Sequence, residues 1–152
     1  MSAETAMEGG ITGATTLTIL HEIVQKLDRN APRMDEIGKE VLSNLFKKLK
    51  LDVPDDDKLH LLATGAELVS NGLFYSLAGA ASKNNVFLRG IFLGLTAGIG
   101  AVVLPGKLGL DESASNRTDK TKVMTIAWYL IGGIVAAAVT ERLEERKRKY
   151  TR

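Results

Sequence analysis

Three polar side chains, Glu67, Asn71 and Tyr75, stand four residues apart within the apolar run Leu59 to Ala81, LHLLATGAELVSNGLFYSLAGAA. On a helix that spacing stacks them into one stripe. A carboxyl group in such a setting needs a proton, a cation or a hydrogen-bonding partner, because an isolated buried charge is costly. Glu67 is expected to carry the proton or bind the cation, with Asn71 and Tyr75 orienting it. His21 and Glu22 add an imidazole that titrates near neutrality and a second carboxylate, a pair that would tune or relay charge. The chemistry these residue types support is the binding of a proton or small ion at a site built from His21, Glu22, Glu67, Asn71 and Tyr75.

Other chemistries find no footing. His21 and Glu22 are adjacent and so point about 100° apart on a helix, and no Glu-x-x-His or His-Glu-x-x-His spacing occurs, so no metal site is expected. The glycines of GITGATT and GLTAGIG lack the strand that a phosphate or dinucleotide loop requires. Without cysteine there is neither a disulfide nor a thiolate site. No cofactor and no enzymatic activity are expected, although embedded carboxylates and histidines leave a lipid-modifying enzyme as a third reading. A net charge of +2 argues against nucleic acid as a partner.

The elements that must position the polar stripe follow from where the charges lie. Charged residues make up 25% of the 152-residue chain, yet they collect in Gln25 to Lys58, Asp111 to Lys122 and Glu141 to Arg152. A soluble bundle would interleave charge along every helix, so this segregation predicts membrane-embedded helices with solvated connections. Four spans are expected, at Ile11 to Leu27, Leu59 to Ala81, Val86 to Leu104 and Val123 to Thr140. The first is the least secure, since about 17 residues reach only about 25 Å against a hydrocarbon core of about 30 Å. Its polar residues Thr15, Thr18, Glu22 and Gln25 share a face that should point into protein. Between the first two spans, Met34 to Leu49 reads as an interfacial amphipathic helix, with Ile37, Val41, Leu45 and Leu49 in line.

Gly90, Gly94 and Gly98 repeat every four residues and form a flat ridge that lets another helix approach closely. Gly132, Gly133 and Ala136 make a similar small surface on the fourth span, where Trp128 and Tyr129 are expected to anchor at the interface or to pack. Lys107 to Lys122 reads as a polar loop, and ERLEERKRKY as a helical tail that continues the fourth span.

The stretch Gly9-Gly10-Ile11-Thr12-Gly13-Ala14 resembles the glycine-rich first helix of the small dual-topology fluoride channels, with Asn71 matching a pore asparagine. The third span departs from that family, having LGLTAGIG where a Thr-Phe-Ser-Thr-Phe break is expected, and the resemblance is set aside. The fold expected is all-α: a single polytopic domain of four membrane-embedded helices plus one amphipathic helix. Its expected place is a bacterial inner membrane, in contact with lipids and in a homo-oligomer. Function divides between a small transporter or channel and a non-catalytic membrane scaffold that associates through its glycine ridges.

Overall fold

The computed structural model of the chain describes residues 1–80 and 84–150, and all of its regular elements there are helices. In chain order they are α1 (Ala3–Leu27), α2 (Met34–Lys48), α3 (Asp56–Ser76), α4 (Val86–Lys107), α5 (Ser113–Asn116) and α6 (Asp119–Tyr150). The long helices alternate in direction. α6 lies between α1 and α4, α3 packs on α1 and also touches α6, and α2 lies on α3.

Several boundaries differ from the sequence expectation. α1 begins at Ala3 and not near Ile11, because the Ser2 hydroxyl caps it by accepting from the Thr5 N–H at 3.2 Å. Its 25 residues reach about 37 Å, so length does not disqualify it as a span. The second span, expected to reach Ala81, ends as a helix at Ser76, and Ala81 lies outside the described residues. The connection expected to be loop-like holds the one-turn helix α5. α6 runs on through the charged tail to Tyr150.

Two of the four expected spans have the length and apolar composition to cross a membrane: α4, and α6 through its apolar part. α1 and α3 have the length, but Thr, His, Glu and Asn dilute their apolar content. Of the apolar window of α6, 44% is buried. Only 22% of the apolar window of α4 is buried, leaving Phe87, Leu88, Phe92, Leu95 and Ile99 exposed along its outer side. The same is true of Ile11, Ile19 and Ile23 on α1 and of Leu62, Val69 and Leu73 on α3.

What holds the helices together is close backbone approach. A Cβ on Gly13 would overlap the Gly132 carbonyl of α6 and stand 2.7 Å from the Ala136 Cβ. On the other side of α6, a Cβ on Gly94 would lie 2.7 Å from the Leu130 Cα, and one on Gly98 2.8 Å from the Ile126 Cα. Gly132 and Gly133, adjacent and about 100° apart, thus serve α1 and α4 respectively. The ridge Gly90, Gly94, Gly98 is therefore spent on α6 of its own chain.

Polar ties close both ends. At one end the Ser2 N–H and the Thr5 hydroxyl donate to the Glu144 carboxylate at 3.1 and 2.9 Å, and Lys147 pairs with Glu4. At the other, Arg117 donates to the carbonyls of Arg29 and Ala31, and Lys120 donates to Asp28. The Lys120 ammonium, helped by the Asn30 N–H, holds the Asp28 carboxyl below its ordinary value of 3.8. A carboxyl with a lowered folded-state pKa stabilises fully above its unfolded pKa and loses that contribution as pH falls through the folded one. Asp28→Asn is thus expected to lower the unfolding temperature slightly at neutral pH. The difference from wild type should vanish as the pH is taken well below about 4, a convergence that thermal melts across pH would check.

Candidate functional site

Each wall of the site comes from a different helix. α1 contributes Thr18 and His21, one turn apart on the face that also buries Gly10, Ala14 and Leu17. The crowded small residues of α1 draw it against α6, and that contact carries His21 to Tyr129. The two rings meet edge to face, with centroids 5.9 Å apart and planes at 64°. α3 brings its stripe to the same place: Glu67 Oε1 stands 3.7 Å from His21 Nδ1, and Asn71 and Glu67 are the polar neighbours of the Tyr129 side chain.

The His21–Glu67 contact is too long for a hydrogen bond. His21 is 4% exposed, yet neither of its ring nitrogens has a hydrogen-bond partner among the described residues. The Oε1 of Glu67 and the Thr18 hydroxyl share that condition. Nearly all buried polar atoms in folded proteins are paired, so orphaned groups gathered from two turns of α1 and one of α3 mark a place where a proton or a bound group completes the set. A proton on His21 would turn the contact into an ion pair.

Tyr75, the third member of the stripe, has a different position from Glu67 and Asn71. It is 1% exposed, and its hydroxyl donates to the Tyr129 carbonyl at 2.8 Å, packed against Gly132. That bond fixes the rotation of α3 relative to α6, and with it the direction in which Glu67 points. Glu22 faces elsewhere: its carboxylate lies 3.8 Å from His60 Nε2, while His60 Nδ1 is 3.7 Å from Asp35. Gln25 ties this half-exposed cluster to the start of α2 by donating to Asp35 at 3.0 Å and to the Pro32 carbonyl at 3.1 Å. Two polar clusters therefore stand side by side at one end of the bundle. They are His21–Glu67 within it and Glu22–His60–Asp35 at its edge.

Above the inner cluster, a cleft of about 320 Å³ separates α2 from α3 and reaches Tyr129. Met34, Ile37 and Val41 form its α2 side, and Ala63 and Ala66 its α3 side. Glu67, Ser70, Asn71 and Tyr129 supply its polar groups. Tyr129 was legible in the sequence only as an anchor or packing residue, and the structure buries it against His21 at the inner end of the cleft. The roof of Met34 and Ile37 had no signal at all beyond the amphipathic pattern of α2. Thr15, expected on the inward face with Thr18, is exposed. Among the described residues no group of three His, Asp or Glu side chains is arranged to hold a metal ion. Comparison with known proteins finds no matching family model, no similar curated protein and no similar solved structure.

Proposed function

We propose that this chain is a small integral membrane protein, with α1, α3, α4 and α6 all embedded, that moves a proton or monovalent cation through the His21–Glu67 site. The observation that carries the reading is the orphaned pair, a buried imidazole and a carboxylate 3.7 Å apart with no other partner for their facing atoms. A pair kept only for packing would be expected to close its hydrogen bonds.

Embedding of all four helices is supported by their exposed surfaces. The glycine contacts hold α1 at the depth of α6, so if α6 crosses, α1 lies beside it. Exposed hydroxyls are satisfied by their own helix: Thr12 donates to the Glu8 carbonyl at 2.7 Å, Thr16 to Thr12 at 2.8 Å, and Thr96 to Phe92 at 2.8 Å. Lipid provides no water for such groups, and this back-bonding makes a threonine tolerable there. Tyr129 lies six residues into the apolar part of α6, so a membrane surface at Val123 would leave the site about 10 Å deep.

The scaffold reading loses its main support, because the glycine ridge assigned to association is covered by the chain's own α6. Reconstituted vesicles test the proposal. Glu67→Gln, which keeps the shape of the side chain, is expected to remain folded while flux under an imposed gradient falls at least about tenfold, about 1.4 kcal/mol on the barrier. Unchanged flux would refute the role given to Glu67.

A further inference from the structure

We propose that the cleft between α2, α3 and α6 binds an organic cation, an ammonium group carried on an apolar body, with the charge at Glu67 and the body under α2. This rests on the reading of Glu67 as an exchangeable site and names the class of molecule that reaches it. At about 320 Å³ the cleft is at the lower end of the range that takes small organic ligands.

Its chemistry is one-sided. Glu67 is the one charged side chain among the residues lining it, and no lysine or arginine faces it. The nearest polar group is committed: the Ser70 hydroxyl donates to the Glu67 carbonyl at 3.1 Å. What remains is an open, mostly apolar cleft with a single carboxylate, reaching Tyr129 at its inner end. A sugar or other neutral polar ligand would find too few hydrogen-bonding groups, and an anion would be repelled. A hard metal cation requires several oxygen ligands, and no such group of side chains is arranged here. An alkylammonium needs only the charge and an apolar wall, both of which the cleft supplies, with Tyr129 at its inner end.

The orphaned His21 behind Glu67 gives an independent reason to place a ligand here. It is a polar side chain more than nine-tenths buried, with its Nδ1 directed at the carboxylate that forms the floor of the cleft. A cation entering at Glu67 and a proton held by His21 would compete for the same carboxylate.

The test uses the full chain in detergent micelles and three probes in calorimetric titration: benzyltrimethylammonium, tetramethylammonium and benzenesulfonate. The wild type is expected to bind the first at least about tenfold more tightly than the second, a gap set by the apolar body, and not to bind the third. Glu67→Gln should lose that affinity, as should Ala66→Trp, which fills the cleft from an exposed position and should leave helicity unchanged. Retained affinity in either variant, equal affinity for the sulfonate, or no binding by the wild type would overturn the inference. No binding combined with Glu67-dependent flux of protons in vesicles would overturn the organic cation alone. The absence of both would remove the proposed function as well.

Discussion

Gly133→Leu is expected to break the fold at the tightest backbone contact made by a described glycine. A Cβ at this position would overlap the Gly90 carbonyl and stand 3.0 Å from both the Cα and the N of Gly94, so α4 must move before even a methyl group fits. Backbone has no rotamer to yield, unlike the side chains that absorb most overpacking, and the cost should reach or exceed the upper end of the usual 1 to 3 kcal/mol or so. The contact also fixes Gly94 and Gly98 against Leu130 and Ile126, so the damage should spread along the helix pair. Thermal unfolding in detergent should show a large drop in midpoint, and a disulfide engineered between α4 and α6 should form less readily. Gly65→Ala is the internal control. Nothing lies within 4 Å of its Cβ position, and removing a mid-helix glycine should leave the protein as stable or up to about 1 kcal/mol more stable.

The second large effect has the opposite sign. Replacing His21 and Glu67 together, as His21→Leu with Glu67→Met, is expected to stabilise the protein while removing flux. The two apolar side chains have about the volume of those they replace, and they eliminate three buried polar atoms that have no hydrogen-bond partner among the described residues. Exchanging a buried ionisable pair for apolar residues is commonly neutral or stabilising by about 1 to 4 kcal/mol. If the pair instead fixed the packing of α1 on α3, the double variant would be less stable than the wild type. A thermal melt thus separates a site kept for function from one kept for structure.

Much of this fold can be read from local sequence, because its strongest contacts depend on local spacing. Gly90, Gly94 and Gly98 lie on one face of any helix, and the amphipathic run at Met34 to Lys48 appears where its apolar line ends. The start of α1 is different in kind. Glu4 and Glu8 make the N-terminus look solvated, and what anchors it is the Glu144 and Lys147 pairing from the opposite end of the chain, which no window on Met1 to Gly10 contains. The inner site was half legible. Alternating helix direction puts His21 and Glu67 at one depth, but depth does not fix rotation. That is set by Gly10 and Gly13 against their neighbours and by the Tyr75 hydroxyl on the Tyr129 carbonyl. For the same reason Glu22, one residue from His21, turned out to face His60 and not Glu67.

The central claim is that the His21–Glu67 pair is a working exchange site in a membrane. Its most direct test is flux into liposomes containing either the wild type or the His21→Leu, Glu67→Met variant, under an imposed gradient of protons or of a monovalent cation. Because the variant is expected to be at least as stable, loss of flux cannot be ascribed to misfolding. Transport by the wild type and no more than the leak of empty liposomes from the variant are expected; equal flux from the two, or none from the wild type, would overturn the role of the pair.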